Sequence, residues 1–78
     1  MEIREILAVN LKRLRKAKGL SQEELAHQVG IDRTYVSALE RRVYAASIDL
    51  VDRLAKALQV DTQTLLSPPA ESEPPQGK

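Results

Sequence analysis

The sequence predicts an all-α protein, a compact five-helix bundle, and three observations point to it. Apolar residues recur at intervals of three and four, the period of a helix face. Gly and Pro fall only between the periodic stretches or after the last of them. No stretch alternates with period two or gathers the β-branched and aromatic residues of a strand. Seventy-eight residues allow one domain. A chain of this length buries a modest core, so pairing with a second copy would add stability.

Residues 2–18 lack Gly and Pro and carry Ile3, Leu7, Leu11 and Leu14 at helical spacing. Gly19 stops this first helix, because glycine reaches positive φ at little cost. Ser21-Gln22-Glu23-Glu24 is a capping box: the Ser21 hydroxyl accepts from the Glu24 N–H, and the Glu24 carboxylate accepts from the Ser21 N–H. It opens a short helix over about 22–28, with Leu25, Ala26 and Val29 inward and Gly30 as its end. Asp32 is the next N-cap, for a helix over about 33–41 whose buried side draws on Ile31, Val36 and Leu39. Arg42 to Ser47 breaks the period and reads as a loop. Ser47 caps a fourth helix over about 48–58, with Ile48, Val51, Leu54, Ala55 and Leu58 at helical spacing. Asp61 or Thr62 starts a last short helix through Leu66, which Pro68-Pro69 stops. Residues 1–66 are therefore expected to form the domain. Residues 67–78, rich in Pro, Glu and Ser, are expected to be a disordered tail.

Several function classes are set aside at this stage. There is no cysteine, hence no disulfide and no thiolate metal site. His27 is the only histidine and has no companion ligands, so it is expected on a helix surface. The acids form no nucleophile–base arrangement, and no Gly-rich loop cradles phosphate. No enzymatic activity and no cofactor are expected. No apolar run approaches the roughly 18 residues that span a bilayer. Met1-Glu2-Ile3-Arg4-Glu5 lacks the apolar stretch of a signal peptide, so the expected location is cytoplasmic.

Charge is unevenly spread behind a net value of +1. Lys12, Arg13, Arg15, Lys16 and Lys18 form one basic cluster, and Arg41 and Arg42 a second. Acids gather at Glu23-Glu24, Asp49 and Asp52, and in the tail. A near-neutral total with concentrated positive patches suits one polyanion-binding face, although solvated helix faces would give the same pattern.

The informative unit is helix, Gly30-Ile31-Asp32, helix. Two short helices joined by a tight turn containing Gly make a helix-turn-helix. Ala26 is small enough for the second helix to cross closely, and Val36 and Leu39 anchor that helix from beneath. Its outer face is left with Arg33, Thr34, Tyr35, Ser37, Ala38, Arg41 and Arg42, side chains that suit base edges and phosphates.

Gly19-Leu20-Ser21-Gln22-Glu23-Glu24-Leu25-Ala26, then Val36-Ser37-Ala38-Leu39-Glu40-Arg41, then Leu54-Ala55-Lys56-Ala57-Leu58 occur in order and at matching spacing. With these motifs the chain resembles the lambda/434 repressor-like helix-turn-helix family, also called XRE, over about residues 5 to 66. Its stand-alone length and Asp32-Arg33-Thr34-Tyr35 are similar to the controller proteins of restriction–modification systems. The resemblance implies residue roles. Gln22 would contact phosphate and buttress the recognition helix. Arg33, Thr34 and Ser37 would enter the major groove, with Tyr35 alongside. The loop from Arg42 to Ser47 would contact phosphate. Arg15 and Glu40 would form an ion pair tying the first helix to the third. Leu50, Thr62, Leu65 and Leu66 would lie near a dimer surface. Two departures bear on the loop: Arg42 stands where the family often has Gly, so the third helix could end differently or run longer, and Ala46 stands where a Pro often precedes the fourth helix.

Taken singly, Arg33 is the sharpest candidate, since an exposed arginine at a helix start donates bidentately to guanine O6 and N7. For Thr34 three roles stand open: a thymine methyl contact, a phosphate bond, or helix initiation. Tyr35 either touches DNA or lies along the helix as partial core. Ser37 is expected at DNA backbone or base, Arg42 at phosphate, and Tyr44 at DNA or at a dimer partner. The expected function is sequence-specific transcriptional regulation by a homodimer on a pseudo-palindromic operator in double-stranded DNA, without a small-molecule effector and without membrane attachment. The alternative on the same fold is an antitoxin or other protein-interaction module using its tail.

Overall fold

The computed structural model describes residues 2–69. Five helices follow one another: α1 (Ile3–Ala17), α2 (Gln22–Val29), α3 (Arg33–Glu40), α4 (Ile48–Leu58) and α5 (Thr62–Leu66). The described residues contain no strand. The expected tail lies outside the described residues from Ala70 onward.

Side-chain caps begin three of the helices. Ser21 and Glu24 form the reciprocal capping box at α2, Asp32 accepts from the Thr34 N–H at α3, and Ser47 accepts from the Leu50 N–H at α4. Each satisfies a backbone donor that has no partner inside its helix.

The first four helices end with one geometry, while α5 runs into an extended Ser67. After α1, α2, α3 and α4 a residue turns left-handed, at Gly19, Gly30, Arg42 and Gln59. The residue after each donates back into the last turn: Leu20 to the Arg15 carbonyl, Ile31 to Ala26, Val43 to Ala38 and Val60 to Ala55. These are Schellman closures, and glycine is the residue that makes them without strain. Two of the four are made by side-chain-bearing residues, Arg42 at φ +65° and Gln59 at φ +60°. The departure at Arg42 therefore neither lengthens α3 nor changes its closure. The arginine takes the left-handed conformation itself, at a backbone cost of about 1 kcal/mol.

A single core holds the helices together. Leu7 and Leu11 of α1, Leu25, Ala26 and Val29 of α2, Val36 and Leu39 of α3, Leu50, Val51, Leu54, Ala55 and Leu58 of α4, and Leu65 of α5 pack in one cluster. Ala26 is 2% exposed beneath α3, where a larger side chain would push the crossing helices apart. Two periodic residues stay outside. Ile3 is 57% and Ile48 is 88% exposed, because each starts its helix and lies beyond the region the other helices cover. Leu50 and Leu65, expected near a dimer surface, are 3% and 0% exposed within the single chain. They are core residues of the monomer, and of that set only Thr62 and Leu66 are exposed.

Candidate nucleic-acid interface

Helix α3 has two sides of opposite character. Val36 and Leu39 are buried at 0% and 1% exposure. Arg33, Thr34 and Arg41 are exposed, and Tyr35, Ser37 and Ala38 are half-buried. The turn that aims this helix is fixed at both ends. Gly30 sits at φ +82°, and the Asp32 carboxylate accepts from the Thr34 N–H and the Thr34 hydroxyl, each at 3.1 Å. Those bonds stabilise the ionised form, so the Asp32 carboxyl is held below its ordinary value of 3.8, with a smaller contribution from the adjacent Arg33 charge. The Glu24 carboxyl, bonded in the capping box to the Ser21 N–H and served by its hydroxyl, is likewise held below 4.5.

Beneath α3 lies a polar cluster. Arg15 Nε donates to Glu40 Oε2 at 2.6 Å and Arg15 Nη2 to Glu40 Oε1 at 3.0 Å, with side chains only 9% and 4% exposed. Arg15 Nη1 also donates to the Leu20 carbonyl at 2.7 Å, and Gln22 Nε2 donates to Glu40 Oε1 at 3.0 Å. The fork-shaped guanidinium matches the carboxylate, and the added bonds satisfy groups that burial would otherwise strand. One carboxylate on α3 thus receives both α1 and the first residue of α2. Gln22, expected to contact phosphate and buttress α3, has its amide nitrogen committed to the second task and is half-buried.

The remaining candidates fall into groups. Among the described residues no hydrogen bond holds the exposed Arg33 guanidinium. Arg41 Nε donates to the Ser37 hydroxyl at 3.3 Å, which keeps both on one flank of α3. Arg42 is turned toward α1, with Nη1 at 3.3 Å from Glu5 Oε2 in an exposed pair. The Ser47 hydroxyl is committed to capping α4 at 3.0 Å. The first basic cluster is not one face: Arg15 points into the protein, while Lys12, Lys16 and Lys18 are exposed, with Lys18 Nζ bonded to the Gln59 side chain.

One residue of consequence was not marked by sequence reasoning, and a second was marked without the contact that places it. Asn10 is fully buried, and its amide nitrogen donates to the carbonyls of Thr64, Leu65 and Ser67 at 3.2, 2.9 and 2.7 Å. It closes the C-terminal end of α5 from the side of α1. Its signal was present: a polar residue between Leu7 and Leu11, on the apolar side of α1, calls for a buried acceptor. Tyr44 is the second. Its ring meets that of Tyr35 edge to face, with centroids 4.8 Å apart and planes at 67°. No periodicity reaches a loop, so only the fold brings the two rings together.

The pattern of a buried-sided α3 on a Gly-turned α2 is matched by a family model described as helix-turn-helix (HTH_3), over residues 11–65. The chain belongs to that family. Its relatives carry the names of transcription regulators and restriction–modification controllers. A hypothetical transcription factor of Neisseria meningitidis is 47% identical over 70 residues, which are 90% of this chain and 66% of that protein. The crystal structure of a hypothetical transcription factor from Neisseria, also 47% identical, superposes with a TM-score of 0.87, covering 90% of this chain and 80% of that one. The control protein C.SmaI of Serratia marcescens is 40% identical over 67 residues, 86% of this chain and 80% of its own. The biofilm master regulator SinR, solved in complex with DNA, is 34% identical with a TM-score of 0.75, covering 78% of this chain and 98% of that one. These relatives carry regulator rather than enzyme names. No helix among the described residues is long and apolar enough to cross a membrane.

Proposed function

We propose that this chain is a sequence-specific transcriptional regulator, not an enzyme, that binds an operator in duplex DNA as a homodimer. The observation that carries the reading is α3 itself. Its inner side is locked into the core, and its outer side offers Arg33, Thr34, Ser37 and Arg41 beside the Tyr35 ring. Seated in the major groove, this helix would bring Arg33 to a guanine edge at its N-terminal end, with Thr34 and Tyr35 beside it. Arg41 and Arg42 would meet phosphate at its other end, where counterion release makes affinity fall with salt. Gln22 and Ser47 act on the same surface through the positions they hold, Gln22 against Glu40 and Ser47 at the start of α4. The SinR complex with DNA supports the ligand class.

One module touches few base pairs, and two related by a two-fold axis read a pseudo-palindrome with recognition helices about 34–36 Å apart. An apolar groove supports self-association. Ile3, Ile48 and Leu66 line it together with Ala46, Val51 and Thr62, and the carboxylates of Asp49 and Asp52 complete the lining. An isoleucine 88% exposed at the start of α4 is costly in water and gains by meeting its symmetry mate. Of the four residues expected near a dimer surface, Thr62 and Leu66 line this groove, whereas Leu50 and Leu65 are buried in the core.

In vitro selection from random duplex DNA, with sedimentation equilibrium on the free protein, tests the reading. A two-fold symmetric site and a concentration-dependent dimer are expected. A monomer that enriches no site at moderate salt would turn attention to a protein partner.

A further inference from the structure

We propose that Tyr44, from the loop after the recognition helix, forms with Tyr35 a notch that takes the 5-methyl group of a thymine in each half-site. The proposal rests on the DNA-reading function above and names the base feature that Tyr44 and Tyr35 would meet.

The notch is bounded by Asp32, Thr34, Tyr35, Ala38 and Tyr44, four of them from the N-cap and first two turns of α3 and the fifth from the loop. Its walls are two aromatic rings, the Ala38 methyl and the Thr34 side chain. Its one charged group is the Asp32 carboxylate, whose Oδ1 accepts from both the Thr34 N–H and the Thr34 hydroxyl. What faces outward is mostly carbon. It adjoins Arg33 on the side of α3 turned away from the core.

The position of Tyr44 is built, not incidental. Arg42 turns left-handed at φ +65°, and the Val43 N–H donates to the Ala38 carbonyl at 3.0 Å. That bond fixes the chain one residue before Tyr44, against the same turn of α3 that supplies the notch floor. The ring then rests edge-on against Tyr35 at 4.8 Å while 53% of the residue stays exposed. An aromatic side chain held at this exposure has apolar surface to bury against a ligand.

The chemistry selects the occupant. The major-groove edges of the four base pairs present acceptors, amino donors and one apolar group, the thymine methyl. The two rings and the Ala38 methyl give a methyl group apolar surface to meet and exclude water from it. Burying one methyl corresponds to roughly fourfold in affinity.

The test uses the site enriched by selection and replaces each thymine of a half-site in turn with deoxyuridine, which removes the methyl alone. Wild type is expected to lose about fourfold at one thymine per half-site. Tyr44→Ala is expected to bind thymine and uracil there equally, and Tyr44→Phe to keep the wild-type ratio. Circular dichroism melting of Tyr44→Ala confirms that the fold is intact. An enriched site whose thymine-to-uracil ratios do not move in Tyr44→Ala, or which has no uracil-sensitive position, overturns the notch and leaves the DNA reader standing. Enrichment of no site at all overturns both.

Discussion

Arg15 and Arg33 are the same residue type in opposite settings, one under the recognition helix and one on top of it. Arg15 is 7% exposed and makes its bonds to Glu40 and the Leu20 carbonyl, inside a cluster that also holds Gln22. Arg33 is exposed, and no hydrogen bond among the described residues holds it. The difference teaches how a small helical domain divides its polar groups. Those beneath α3 are desolvated and partnered, so they fix where the helix lies. Those above are solvated, so they cost the fold little and are available to a ligand. The first set is read out in stability and the second in binding, and each prediction below separates the two.

The largest effect belongs to the buried pair. Glu40→Ala strands the Arg15 guanidinium and releases the Gln22 amide, and is expected to cost about 3–5 kcal/mol in urea denaturation. Replacing Arg15 and Glu40 together with apolar residues of similar volume should recover much of that loss, which distinguishes a stranded charge from a missing attraction. Next is Asn10→Ala, which leaves carbonyls at the end of α5 without their donor and is expected to cost about 1–3 kcal/mol. Because α5 carries Leu66, the same variant should also weaken dimers in sedimentation.

Arg42 stands between the two sets. It is a backbone feature of the fold and a charge of the outer region. Arg42→Gly relieves the left-handed strain and removes only an exposed ion pair, so it is expected to raise stability by up to about 1 kcal/mol. The same change should weaken DNA binding and flatten its salt dependence, as expected when one phosphate contact is lost. Stability and affinity moving in opposite directions would sharpen the division; moving together would break it.

Acid supplies a gentler probe. The folded protein holds the Asp32 and Glu24 carboxyls below their ordinary values of 3.8 and 4.5. A carboxyl with a depressed folded pKa contributes stability that is present above its unfolded pKa and lost as pH falls through the folded one. The contribution should therefore be complete at neutral pH and fade below about pH 4. Asp32→Asn keeps a capping acceptor without a titrating group. Its denaturation midpoint is expected to fall less than that of wild type between pH 7 and pH 3.

Much of this arrangement was legible in the residues. Ser21 with Glu24, Asp32 and Ser47 announce three helix starts, and Gly19 and Gly30 announce two ends, because these side chains act on backbone within a few residues of themselves. The less legible features depend on distant chain. Nothing in the type of residue 42 gives the sign of its φ; the closure onto the Ala38 carbonyl sets it. Helical period marks Leu50, Leu65, Ile48 and Ile3 alike as apolar. Only packing assigns the first two to the core and leaves the last two on the surface. Asn10 and Tyr44 meet partners 54 and 9 residues away, at Thr64 and Tyr35, beyond any local pattern.

The central claim is that the outer side of α3 reads bases while the cluster beneath it holds the helix in place. Parallel selections from random duplex DNA with wild type and Arg33→Ala test it most directly, accompanied by urea denaturation of both proteins. Arg33→Ala is expected to change stability by less than about 0.5 kcal/mol. It should also lose preference at one position in each half-site, with about 1–3 kcal/mol of discrimination gone there. A variant that is equally stable and enriches the wild-type site with every preference intact would contradict the claim.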